Sequence, residues 1–97
     1  MTREQKIEYI AKHYGFENQC RQAVEEMAEL TKELCKYQRA ENDAERNKAL
    51  YNISCELADV EIMVQQLKYL VHNSVIDKEI DEKLDRQLNR IEKKSTY

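Results

Sequence analysis

The sequence predicts an all-α domain: about four helices in an antiparallel bundle, two of them long and central, completed by oligomerisation. Three observations carry this. The chain has no proline and a single glycine, Gly15, so residues that break helices are nearly absent. It is 36% charged and 41% hydrophobic, a profile that suits long helices rather than a turn-rich sheet. Apolar residues recur in alternating steps of three and four over two long stretches, which is the spacing of one helix face. The 97 residues form one domain, 1–97, of a size that buries a limited share of its surface. Association with further copies is therefore expected.

Each element has its own signals. Thr2-Arg3-Glu4-Gln5 is a capping box, with Thr2 as N-cap and Gln5 reaching back. A short helix runs from there through Tyr14, with Ile7, Ile10 and Ala11 on one face. It stops at Gly15, which takes a positive-φ terminus without steric cost. The second helix spans about Glu17 to Arg39, with a seam of Phe16, Cys20, Ala23, Met27, Leu30, Leu34 and Tyr37. A stripe of Gln22, Glu26, Glu29 and Glu33 runs beside it. Arg39 to Ala49 is polar and weakly periodic, so a mobile connection is expected there, with Asn42 to Glu45 capping the third helix. That helix spans about Glu45 to His72, with a seam of Leu50, Ile53, Leu57, Val60, Val64, Leu67 and Val71. Its adjoining stripe is Asn52, Glu56, Asp59, Met63 and Gln66. Ser74 with Asp77 suits a fresh N-cap for a fourth helix, about Val75 to Lys93, carrying Ile76, Ile80, Leu84, Leu88 and Ile91. The tail from 93 to 97 is expected to fray.

Charge and composition exclude several classes. The net charge is −3 and the basic residues are interspersed with acids, so no nucleic-acid polymer is expected as a partner. No apolar run is long enough for a bilayer and no signal-peptide pattern opens the chain, so no membrane partner and a cytoplasmic location are expected. Cys20, Cys35 and Cys55 lack zinc-site spacing and read as reduced, small apolar residues. No glycine-rich phosphate loop exists, and no Ser or Cys has a base at a suggestive spacing.

The chemistry concentrates in two acidic stretches, QAVEEMAEL (Gln22 to Leu30) and CELADVEIM (Cys55 to Met63). Glu26 and Glu29 sit three apart, as do Glu56 and Asp59, and residues so spaced share a helix face. Antiparallel packing of the two long helices brings the pairs face to face. Four converging carboxylates repel one another unless a cation binds or some are protonated. Magnesium, or manganese in its place, accepts such oxygen ligands and keeps positions open for substrate phosphates. Nineteen acids in a helical chain also produce such spacings by chance, and a solvated face is the plain alternative. Two pairs, both set in apolar context, favour a site.

Glu25-Glu26-Met27-Ala28-Glu29 followed by Glu56-Leu57-Ala58-Asp59 resembles the E-E-x-x-E … E-x-x-D signature of the MazG-like, all-α nucleoside triphosphate pyrophosphohydrolases. The likeness covers the chain from about Tyr14 to Arg90. It implies magnesium-dependent hydrolysis of a nucleoside triphosphate, ribo or deoxy, between the α and β phosphates. It also implies a homodimer or homotetramer, with Glu26, Glu29, Glu56 and Asp59 as metal ligands. Glu25 matches the extra acid of the signature, and it lies about 100° round the helix from Glu26. Gln22 and Asn52, beside the acids, are candidates for contacting base or ribose. Lys32 and Lys36, with Lys83, Arg86 and Arg90 on the fourth helix, are candidates for contacting polyphosphate. Plain helix-surface roles remain open for each of these.

Two rivals stand beside this reading. A di-iron bundle pairs Glu with a His three residues on, but Lys32 follows Glu29 at that spacing and Ile62 follows Asp59. A non-catalytic helical interaction or regulatory module explains the seams and leaves the matched acids unexplained.

Overall fold

The computed structural model describes residues 1–95, and Thr96 and Tyr97 of the expected frayed tail lie outside the described residues. Among the described residues there are four helices and no strand: α1 (Arg3–Tyr14), α2 (Phe16–Arg39), α3 (Asp43–Val71) and α4 (Val75–Ser95). The capping box at α1 forms as expected, with Gln5 N donating to Thr2 Oγ1 at 3.1 Å and Thr2 N to Gln5 Oε1 at 2.8 Å. Gly15 closes α1 and opens α2 at φ 83°, ψ 166°, a backbone region that only glycine visits readily. The connection from α2 to α3 is shorter than the sequence suggested. Asn42 Oδ1 accepts from Glu45 N at 2.9 Å and starts α3 at Asp43, so residues 43 to 49 are helical rather than a mobile link. His72 ends α3 in the left-handed region at φ 48°. Just before α4, Asn73 Oδ1 accepts from Val75 N at 3.0 Å.

The short link folds α3 back along α2. Gln19 donates to Gln66, and Glu26 meets Glu56 and Asp59. Glu33 lines the same hollow as Ala49 and Asn52. That register is antiparallel. α1 packs across this pair, chiefly against α3, and buries Ala11, while Lys12 Nζ lies 5.8 Å from the centroid of the Tyr69 ring. α4 makes no substantial contact with the other three helices. The radius of gyration is accordingly 17.3 Å, against about 13 Å for a compact chain of roughly this length.

Of the two apolar seams, only Ala23 and Ile53 are fully buried where the helices meet. The buried residues of α2 and α3 are Gln19, Ala23 and Glu33 on one helix and Ala49, Ile53, Met63 and Gln66 on the other. The centre of this face lies roughly 50–75° round each helix from the centre of the seam, at about 100° per residue. Met27, Leu34 and Tyr37 of α2 and Leu50, Leu57, Val64 and Val71 of α3 are exposed instead. So are Ile80, Leu84, Leu88 and Ile91 of α4. The cause is a division of labour within each helix: Ala, Gln and Glu approach closely across one face and leave most of the bulkier seam residues turned outward.

Candidate metal centre

Glu26 of α2 and Glu56 and Asp59 of α3 project into the groove where the two helices run side by side. Each offers a carboxylate oxygen, and these three atoms lie within 4.8 Å of one another. Glu26 and Glu56 are half-buried and Asp59 is exposed, so the cluster has a closed floor and an open mouth. Gln22, one turn before Glu26, donates its amide to Glu26 Oε1 at 2.9 Å and fixes that carboxylate. Glu56 Oε2 is buried with no hydrogen-bond partner. Burial first, then the nearby charges of Asp59, Glu26, Glu29 and Glu33, raise the Glu56 pKa above its ordinary value of 4.5. An unpaired buried carboxylate oxygen is costly, and a cation relieves both the burial and the repulsion.

The donor set fits a hard divalent ion. All three donors are carboxylate oxygens. Glu26, Glu56 and Asp59 would hold such an ion through oxygen alone, the ligand type that magnesium takes. Glu29 is exposed and stands outside this set of three, although its charge is felt at Glu56. Its spacing from Glu26 gives a shared face, and the helix pair meets along only one edge of that face.

Two hollows flank the triad along the groove. One, toward the start of α2, is lined by Tyr14, Asn18, Gln19, Gln22, Glu25 and Gln66, among others, and encloses about 680 Å³. The other, toward the α2–α3 turn, is lined by Glu33, Lys36, Arg39, Glu45, Lys48 and Asn52, among others, and encloses about 330 Å³. Of the sequence-predicted residues, Glu25 and Gln22 line the first hollow, and Lys36 and Asn52 the second. Lys32 is exposed on α2 and lines neither. Lys83, Arg86 and Arg90 gather on α4, away from the triad in this chain, and Lys83 pairs with Glu79 at 3.2 Å.

Sequence reasoning missed Glu33 as a site residue. Its side chain is nine-tenths buried, one oxygen meets Lys36 Nζ at 3.4 Å, and Oε2 is buried without a partner. The signal was present, since Glu33 continues the stripe of Gln22, Glu26 and Glu29. Arg39 and Lys48 were missed because nothing in the sequence shows that the α2–α3 turn brings them together. Gln19 and Gln66, 5% and 2% exposed, were missed as a buried amide pair. No protein-family model matches the chain, and neither the curated proteins nor the solved structures yield a match.

Proposed function

We propose that this chain is a magnesium-dependent nucleoside triphosphate pyrophosphohydrolase, releasing a nucleoside monophosphate and pyrophosphate. The observation that carries the reading is the triad of Glu26, Glu56 and Asp59, with a buried oxygen of Glu56 left unpartnered. These residues would hold the ion, with Glu29 at the rim. Bound there, magnesium or manganese neutralises phosphate oxygens and lowers the pKa of a water. Gln22 holds the Glu26 carboxylate toward the groove. Glu25, which lines the adjoining hollow, is the residue we assign to orienting the attacking water. Asn52 and the basic side chains near the turn offset charge developing on the departing pyrophosphate. Clearance of non-standard nucleotides, or adjustment of a deoxynucleotide pool, suits such an activity.

The same reading includes a homodimer or homotetramer. Exposed apolar side chains recur along α2, α3 and α4, and contiguous apolar patches mark association surfaces. Packed against copies of themselves, they complete the bundle that a single chain leaves open. The resemblance to MazG-like enzymes points the same way.

The test is a panel of ribo- and deoxynucleoside triphosphates with magnesium, scored for pyrophosphate against orthophosphate release. Pyrophosphate release that disappears with chelation is the expected result. Orthophosphate release alone rejects α–β cleavage. No turnover, together with no magnesium-dependent rise in melting temperature, favours a non-catalytic helical module.

A further inference from the structure

We infer that the substrate lies along the α2–α3 groove in one orientation, with its polyphosphate end in the hollow of Lys36, Arg39 and Lys48 and its nucleoside end toward Tyr14 and Asn18. The inference rests on the proposed metal centre and adds a direction to it.

The two hollows that flank the triad differ in kind. The one at the turn collects three cations and two carboxylates, Glu33 and Glu45, within about 330 Å³, an excess of one positive charge. Arg39 and Lys48 have no ion-pair partner among the described residues, and Lys36 is held by Glu33 at 3.4 Å. Unpaired cations converging on one concavity favour a polyanion, and a guanidinium beside two ammonium groups suits phosphate oxygens. Glu33 joins the two regions, since it lines this hollow and its charge also reaches Glu56. The opposite hollow offers side-chain amides, a carboxylate and an exposed tyrosine ring. That is the inventory for hydrogen-bonding and stacking a heterocycle. Its one lining cation is Arg21, which is engaged with Asn18 at 3.4 Å. A nucleoside triphosphate has one polyanionic end and one heterocyclic end, and the groove has one hollow for each. From Glu56 to Lys48 is about 12 Å along α3 at 1.5 Å per residue, a gap that phosphates and a lysine side chain bridge together.

The deciding experiment is calorimetric titration of the full chain with tripolyphosphate, which carries no base, in the presence of magnesium. The Lys36→Gln/Lys48→Gln double variant should bind it roughly tenfold more weakly, as expected for losing charge-assisted contacts. Arg39→Ala alone should weaken it too, and supplies the same readout if the double variant misfolds. Both should leave the magnesium-dependent rise in melting temperature intact. Unchanged tripolyphosphate affinity in all of these variants overturns the orientation. A loss of affinity seen instead in Lys83→Ala/Arg86→Ala also overturns it, by assigning the anion to α4. Failure of magnesium to bind the unaltered chain rejects the metal centre itself, so the two failures are distinguishable.

Discussion

Glu56 sits among four other carboxylates, Asp59, Glu26, Glu29 and Glu33. Its pKa is raised above 4.5 in the fold, by burial and then by its acidic neighbours. The folded state therefore takes up this proton at higher pH than the unfolded chain, and the ionised group weakens the metal-free fold above its folded-state pKa. Glu56→Gln should be more stable than the unaltered protein at neutral pH without metal, with the advantage shrinking as the pH falls toward 4.5. Denaturation across that range checks this, and a pH-independent difference rejects it. With magnesium the order should reverse, because only the unaltered protein gains from the ion. Gly15 makes a second residue-scale case. At φ 83° and ψ 166°, with nothing within 4 Å of an added Cβ, the obstacle to a side chain is backbone strain rather than space. Gly15→Ala should cost about 1–3 kcal/mol in chemical denaturation. The acids and this glycine were legible in the sequence because each depends only on local spacing. Arg39 and Lys48 were not, because what unites them is the turn between two helices.

At the scale of the element, helix boundaries followed their capping residues. Thr2, Gly15 and Asn42 each mark an end that the sequence announces, and α3 begins at Asp43, two residues before the expected Glu45. The packed face was harder to foresee. Periodicity reported the most apolar stripe of α2 and α3, and the structure joins them along one edge of it, where Ala23 and Ala49 permit close approach and Gln19 meets Gln66. Small and amide side chains do not stand out in a hydrophobicity pattern. Gln19→Leu should destabilise by about 1–3 kcal/mol by stranding the Gln66 amide, whereas Gln19→Leu/Gln66→Leu should recover most of that loss. A double-mutant cycle by urea unfolding measures it, and additive losses would show that the amides do not act as a pair. A slip of α2 along α3 by one turn would break this pair and separate Glu26 from Glu56 and Asp59, so the amides guard the alignment of the acids.

The whole molecule leaves most of its large seam residues exposed, and α4 stands apart. The all-helical architecture was legible from composition alone. Where α4 would dock was not, because its partners are not fixed by anything local to residues 75 to 95. Leu57→Lys and Leu84→Lys, at side chains half exposed in the chain, should lower the mass measured by light scattering if these seams are contact surfaces between copies. An unchanged mass in both variants would remove those seams from the interface. No helix among the described residues is long and apolar enough to cross a membrane. On the proposed self-association, a hairpin with so many seam residues exposed depends on neighbouring copies for its stability. Its melting temperature should climb as the protein is concentrated, and turnover per chain should fall away on dilution, as mass action requires when little of the apolar burial is achieved alone.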